Sequence, residues 1–113
     1  MADRIVYKVM SATDAAQMQR DGAYYGSPVD IADGYIHLSS GSQVAETLDK
    51  HFSGIEGLML AAVDLSRVTD EVRWEPSRGG ELFPHIYGRL PADAVVAVAP
   101  VERTADGAVK LPA

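Results

Sequence analysis

The sequence predicts an α+β domain, because its helical patterns come early and its strand patterns continue to the end. Two stretches with capping residues and helical spacing occur before residue 55. Runs rich in branched and aromatic residues surround them, separated by glycine, proline or Asp-Gly pairs. This order suits two early helices packed on a mixed or antiparallel sheet, whereas a doubly wound parallel sheet would need more helices in the second half.

The first strand and helix have clear sequence boundaries. Residues 4–10 (RIVYKVM) combine branched and aromatic residues in partial alternation, which is typical of a strand. Ser11 followed three residues later by Asp14 is a helix-start pattern, and it predicts a helix over about 13–20. Asp21-Gly22 is predicted to end that helix.

A loop and a second helix are predicted next. Residues 23–33 contain glycine and proline and no helical period, so an extended loop is expected there. Ser40 to Gln43 forms another capping-box pattern. Three apolar residues then recur at a spacing of four and define one face of a helix: Val44, Leu48 and Phe52.

Strands dominate the remaining predictions. Further strands are expected at 35–38, 58–65, 71–75 and 94–101. Residues 83–88 (FPHIYG) contain Pro84, which removes a ladder donor, so an edge strand or irregular turn is expected. Asp106-Gly107 predicts a hairpin turn before the short segment 109–111.

Length, charge and cysteine content limit the classes of protein to which this chain could belong. With 113 residues the chain suffices for one domain, residues 1–113. Sixteen acidic and ten basic side chains give a formal net charge of −6, which argues against a duplex nucleic-acid binder. The absence of cysteine excludes disulfides, thiolate zinc sites and a cysteine nucleophile. No signal-peptide pattern or membrane-length apolar run is present, so a cytoplasmic protein without a membrane partner is expected.

His37 is the first polar residue that interrupts a predicted strand. It lies in GYIHLSSGSQ, residues 34–43, where Tyr35 and His37 would share one face and Ile36 and Leu38 the other. A lone histidine at such a position often only satisfies a backbone carbonyl. The alternative is the polar end of a ligand pocket.

Two further segments carry polar chemistry. His85 and Tyr87, two residues apart, would face the same way on an extended chain. Trp74 offers a flat apolar surface for stacking, and Glu75 is a candidate general base or ribose hydrogen-bond acceptor. Each of these residues also has an ordinary structural explanation, as filler in a loop, as core or as a solvated strand end.

Metal and nucleophile patterns are absent from the sequence. No His-Glu-x-x-His pair, phosphate-binding loop or nucleophile elbow occurs. A zinc site from His37, Glu75 and His85 would require the fold to bring them together, and no metal is expected.

The strings GYIHLS, RWE and FPHIYG, in that order, resemble the small bacterial proteins grouped as domain of unknown function 952. The resemblance covers nearly the whole chain, and FPHIYG is its most specific part. That family looks like part of the ADP-ribosyltransferase fold group, small α+β proteins whose split sheet cradles NAD. Residues 35–39 are similar to the His-Leu-Ser strand of the RNA 2′-phosphotransferases in that group.

Two departures limit what the resemblance implies. Tyr7-Lys8 occupies the place of a His-Gly pair that grips NAD in the phosphotransferases. Ala32-Asp33-Gly34 stands where those enzymes have a catalytic arginine, and an acidic residue there would repel phosphorylated RNA. The fold and a candidate pocket are therefore expected, but not RNA 2′-phosphate transfer.

The resemblance and the residue types together define the expected site. His37 and Glu75 are the expected catalytic residues, contacting ribose or phosphate oxygens and a cationic sugar. The expected ligand-binding residues are Tyr7, Ser39, Trp74, His85 and Tyr87. NAD is the expected ligand, for an ADP-ribosyl transferase or an NAD-cleaving enzyme. A non-catalytic domain that binds a nucleotide or other small metabolite, and a protein whose histidines are purely structural, remain alternatives; the sequence sets no oligomeric state.

Overall fold

The computed structural model describes residues 4–112, which form three helices and eight strands. The helices are α1 (Ala12–Asp21), α2 (Pro28–Asp33) and α3 (Val44–His51). The strands are β1 (Ile5–Ser11), β2 (Ala23–Tyr24), β3 (Ile36–His37), β4 (Leu58–Asp64), β5 (Glu71–Pro76), β6 (Leu82–Tyr87), β7 (Leu90–Pro91) and β8 (Val95–Pro100). The α+β class is confirmed, with all three of these α-helices in the first half of the chain and only short 3-10 turns among the described residues of the second half.

Helix α1 begins and ends at the residues that the sequence indicated. The Ser11 hydroxyl accepts a hydrogen bond from the Asp14 N–H, and Gly22 closes the helix in the left-handed conformation, with φ 81°. The Gly22 N–H donates to the Met18 carbonyl oxygen. Glycine suits this position because it adopts positive φ without a Cβ clash.

Helix α2 corrects the prediction of an extended loop over residues 23–33. Ser27 caps this helix, Pro28 occupies its first turn, and Gly34 ends it with φ 89°. Asp30 completes a capping box by accepting from the Ser27 N–H. Six residues are too few for a visible helical period, so only these end signals could have revealed the helix. The protein therefore has three early helices rather than two.

The strands form three antiparallel sheets, and a backbone bridge connects the first strand of one sheet to the residues that follow a strand of another. One sheet has the order β1-β4-β8, a second has the order β3-β6-β5, and β2 pairs with β7. All of these pairings are antiparallel. Tyr7 and Ser39 exchange backbone hydrogen bonds of 2.7 and 2.9 Å, which link β1 to the residues after β3. Of the predicted mixed or antiparallel sheet, the antiparallel form is the one observed.

Strand β6 corrects the expectation that residues 83–88 form an edge or irregular turn. It is the central strand of its sheet, between β3 and β5. The Leu38 N–H donates to the Pro84 carbonyl oxygen at 3.0 Å. Because N–H and C=O of one residue point to the same side of an antiparallel strand, the donor that proline lacks would face Leu38, just beyond the end of β3. A central strand tolerates Pro84 because the lost ladder bond falls at that end.

The core lies on both faces of the β1-β4-β8 sheet. Val6 and Met10 on one face of β1 join a cluster with the inward residues of β3 and β6. Tyr7 and Val9 on the other face pack against helix α3. The predicted apolar face of α3 is confirmed by a set that packs in this second cluster: Val44, Leu48 and Phe52.

The start of α3 differs from the predicted capping box. The helix begins at Val44, and Gln43 stands at its cap position without a side-chain cap hydrogen bond. The Gln43 side chain accepts from the Ser40 N–H at 3.0 Å and donates to the Leu82 carbonyl oxygen at 2.9 Å. Only the glutamine half of the capping box forms, and it also ties this turn to β6.

The predicted turn at Asp106-Gly107 is confirmed. The Thr104 N–H donates to the Ala108 carbonyl oxygen at 2.8 Å, and Arg103 forms an antiparallel bridge with Val109. Within residues 4–112, no helix has the length and apolar character needed to cross a bilayer.

Candidate functional site

One face of the β3-β6-β5 sheet is polar and aromatic, while its opposite face is core. Ile36 and Ile86 are buried in the core cluster, and Trp74 packs against it. Side chains alternate along a strand, so their sequence neighbours point to the other face. We call this other face the histidine face, and define it by five residues: Tyr35, His37, Glu75, His85 and Tyr87.

His37 is held between two carboxylates supplied by α2. Its Nδ1 lies 2.6 Å from Asp30 Oδ1, and its Nε2 lies 3.0 Å from Asp33 Oδ2. Its backbone N–H also donates to Asp30 Oδ1 at 3.1 Å. An ionised carboxylate only accepts hydrogen bonds, so each ring nitrogen of His37 has an acceptor beside it for a proton that it carries.

A buried ion pair fixes the inner carboxylate. The Lys8 ammonium lies 2.9 Å from Asp30 Oδ2 and donates to the His37 carbonyl oxygen at 2.9 Å. Burial alone would raise the pKa of Asp30, but the hydrogen bond from His37 and the charge of Lys8 outweigh it and lower that pKa well below its usual range. Burial lowers the pKa of Lys8, an effect that Asp30 opposes. Asp30 is therefore a permanent anion that orients His37.

Gly26 provides the space for Asp30. It adopts φ 117°, and a Cβ built there would lie 2.8 Å from the Asp30 Cβ. A side chain at this position would push Asp30 away from Lys8 and His37.

A second carboxylate–histidine pair lies on β5 and β6. Glu75 Oε1 is 2.9 Å from His85 Nδ1 and accepts a hydrogen bond of 2.6 Å from the Tyr87 hydroxyl. These hydrogen bonds, the one from Tyr87 first, lower the pKa of Glu75. The same bond raises the pKa of Tyr87. Glu75 is thus an oriented anion that stays partly exposed.

Tyr35 connects the two histidines. Its ring stacks on His85 with centroids 4.2 Å apart, and lies 4.7 Å from His37 and 5.1 Å from Tyr87. Burial raises the pKa of Tyr35, and the negative charges of Asp33 and Glu75 raise it further. The tyrosine ring therefore forms an aromatic surface in a field of negative charge.

The structure brings together four of the seven residues that the sequence predicted for the site. His37 and His85 are direct cross-strand partners. Glu75 and Tyr87 contact His85 or one another, as described above. The histidines, the glutamate and the His-x-Tyr pair therefore converge on one surface.

The other three predicted residues point elsewhere. Tyr7 belongs to the core cluster under α3. The Ser39 hydroxyl lies 2.9 Å from the Thr47 hydroxyl on α3. Trp74 packs on the core side of its sheet. Alternation along β5 turns Trp74 away from the face of Glu75, whereas Tyr7 lies in the other sheet and Ser39 follows the end of β3.

Sequence reasoning missed four residues of the site. Tyr35 could have been found, because it was expected to share a face with His37. The only signal for Asp30 and Asp33 was the α2 capping box, and Lys8 gave none, because its ion pair spans 22 positions in the sequence.

Two cavities of the protein lie away from the histidine face. One cavity of about 230 Å³ lies between the end of α3 and the residues after β8, and another of about 160 Å³ lies beside α1 and β2. Neither is lined by a residue of the histidine face. Among residues 4–112, no three histidine, aspartate or glutamate side chains are grouped so as to hold a metal ion.

Fold and site together define a small antiparallel α+β protein with two carboxylate-bound histidines paired across neighbouring strands. The chain belongs to the family described as protein of unknown function DUF952, whose sequence pattern matches residues 9–98. This match confirms the family resemblance noted from GYIHLS, RWE and FPHIYG.

Solved structures of one bacterial protein are similar to this chain along most of their length. The crystal structure of protein CC0527 from Caulobacter crescentus is 40% identical, covers 94% of this chain and 93% of its own, and has a TM-score of 0.83. The crystal structure of a double mutant of that protein is 39% identical, with the same coverage and TM-score. Its solution NMR structure is 40% identical over 95% of this chain and 91% of that chain, with a TM-score of 0.78. No curated protein matches this chain.

Proposed function

We propose that the histidine face binds a nucleotide of the NAD type through its nicotinamide and adjoining ribose. The observation that carries this proposal is the position of Tyr35, stacked on His85 and next to the charges of Asp33 and Glu75. A positively charged flat ring is attracted to an aromatic face, and nearby carboxylates add to that attraction. The nicotinamide ring of NAD is such a group.

The ribose next to that ring would meet oriented polar groups. Glu75 is a fixed acceptor, the Tyr87 hydroxyl can accept while it donates to Glu75, and a His37 Nε2–H could donate in place of its contact with the exposed Asp33. Hydroxyl groups both donate and accept, so this mixture suits a ribose better than it suits a simple anion.

The phosphates have a counter-charge at the edge of the face. Arg73 lies 4.6 Å above the Tyr87 ring, and its side chain is 52% exposed. Its ion-pair partner is Glu71, which is also exposed and accepts two hydrogen bonds from it, at 2.9 and 3.2 Å. Because both side chains are exposed, Arg73 could exchange Glu71 for a phosphate, whose oxygens can accept the same two hydrogen bonds.

A second candidate function is cleavage of the bond between nicotinamide and ribose. Glu75 favours it, because this anion is fixed by two hydrogen bonds on the same face as Tyr35. Breaking that bond builds positive charge on the ribose, and a preorganised carboxylate stabilises such charge. The alternative function is binding of the nucleotide without turnover.

The test of binding is a histidine side-chain NMR titration with NAD, ADP-ribose and nicotinamide riboside. We expect joint, saturable shifts of the His37 and His85 signals with NAD and nicotinamide riboside, and weaker shifts with ADP-ribose, which lacks the charged ring. His51, at the end of α3, is an internal control that should not move. Unmoved His37 and His85 signals at millimolar ligand would refute the proposal.

A further inference from the structure

His37 and His85 form a matched pair of histidines with unequal surroundings. They are register partners in the β3–β6 pairing, and their ring centroids are 5.4 Å apart. Each ring has its Nδ1 next to a carboxylate, Asp30 for His37 and Glu75 for His85. In both rings Nε2 is therefore the nitrogen left for proton exchange, with the His37 side chain 35% exposed and the His85 side chain 5% exposed.

The two rings differ in how many carboxylates they contact. His37 has one at each nitrogen, because Asp33 lies 3.0 Å from its Nε2. His85 contacts Glu75 through Nδ1. His37 thus has a hydrogen-bond acceptor for a proton on each ring nitrogen, whereas His85 has a carboxylate acceptor only for a proton on Nδ1. One ring is poised to give a proton and the other to take one.

The outer carboxylate is displaceable. The Asp33 side chain is 47% exposed, unlike that of Asp30, which is 2% exposed. A ligand nitrogen could replace Asp33 at His37 Nε2 while Asp30 continues to hold Nδ1.

From this asymmetry we infer that the pair performs acid–base hydrolysis of nucleosides whose base must leave with a proton, as in purine ribosides. The inference rests on the proposed binding of a ribosyl group at the histidine face. It extends beyond NAD, whose nicotinamide leaves as a neutral ring and needs no proton. A proton donor beside the leaving group would be unnecessary for NAD alone.

The step balances as a hydrolysis. The bond between C1′ and the base nitrogen breaks, its electron pair stays with the base, and His37 Nε2 donates a proton to that base. Water adds to C1′, and its proton passes to His85 Nε2. The products are the neutral base and ribose, and proton exchange with solvent restores both rings. Glu75 faces the positive charge that develops on the sugar.

The test compares adenosine with nicotinamide riboside, two ligands that share a ribose and lack phosphate. We expect the wild-type protein to hydrolyse both, with release of adenine and nicotinamide followed by chromatography. The substitution His37→Asn should slow adenosine hydrolysis by about 100-fold or more, and nicotinamide riboside hydrolysis by about 10-fold or less, because the second reaction loses a ribose contact but no proton donor. His51→Asn, the matched control outside the face, should change neither rate.

A measurement on the unaltered protein guards against a variant that fails to fold. The rate with adenosine should fall as the pH rises, because its leaving base needs a donated proton, while the rate with nicotinamide riboside should not show that fall. Equal loss of both reactions in a folded His37→Asn variant would overturn the inference. So would an absence of adenosine hydrolysis when nicotinamide riboside still shifts the histidine signals, a result that leaves the proposed binding intact. If neither nucleoside shifts those signals, the proposed function falls as well.

Discussion

His37 and His85 face each other across the β3–β6 pair, with their rings edge to face at 5.4 Å. Neither strand alone creates this arrangement, since β3 is only two residues long and β6 contains a proline. The register places them together, and one carboxylate from α2 and another from β5 fix their orientations.

Removing the Tyr35 ring should weaken nucleotide binding. Tyr35→Ala deletes the aromatic surface that stacks on His85, and loss of such a contact costs about 0.5–1.5 kcal/mol beyond burial. We expect Kd for nicotinamide riboside to rise about tenfold, measured by NMR titration. Tyr25→Ala removes a tyrosine that is 65% exposed, and it serves as the matched control with unchanged Kd. Equal Kd values for wild type and Tyr35→Ala would contradict the stacking role.

The two carboxylates around His37 should differ sharply in their effect on stability. Asp30→Asn leaves the buried Lys8 ammonium without its counter-charge, and breaking a buried pair costs about 3–5 kcal/mol. Asp33→Asn removes an exposed partner and should cost about 1 kcal/mol or less. Urea unfolding of the two variants measures the difference. Similar urea midpoints for both variants would show that the Lys8–Asp30 ion pair contributes little to the stability of the fold.

Stability should fall as the pH falls below about 5, partly through Glu75. The folded-state pKa values of Asp30 and Glu75 are lowered, so the unfolded chain, with ordinary values of about 3.9 and 4.3, takes up protons first. Their stabilisation is complete above those ordinary values and is lost as the pH falls through the folded-state pKa. Urea midpoints between pH 7 and pH 3 should decline less steeply for Glu75→Gln than for wild type. Parallel declines would show that Glu75 is not held as an anion by its neighbours.

A side chain at residue 26 should disturb the site from a distance. Gly26→Ala combines positive φ with a Cβ only 2.8 Å from that of Asp30. The positive φ costs about 1–2 kcal/mol, and displacement of Asp30 adds to it. Gly54→Ala is the matched control, since Gly54 has φ 79° and no atom within 4 Å of the added Cβ. We expect Gly26→Ala to unfold at a lower urea concentration than Gly54→Ala and to shift the His37 NMR signal. Gly54→Ala should lose only the stability that the positive φ costs and should leave the His37 signal in place. Identical behaviour of the two would mean that Asp30 tolerates the intrusion.

The sequence predicted correctly those helices whose ends and buried faces depend on residues only three or four positions apart. Ser11 and Gly22 bound α1 because capping groups act within three or four residues. The spacing of Val44 and Leu48 predicted the buried face of α3 for the same reason. The predictions failed where a short element gave no period, as in α2, or where the sheet context mattered, as at Pro84.

The sequence by itself determined the α+β class, the family and the pairing of Tyr35 with His37 on one face, because these follow from composition, motif and the alternation of a strand. Only the tertiary structure decided which residues share the site. Cross-strand register brought His85 and Glu75 to His37, and strand alternation turned Trp74 to the opposite face. The Lys8–Asp30 pair likewise depends on β1 passing beside α2. Such contacts join residues far apart in the chain, and their energies depend on burial and distance, which the folded chain alone defines.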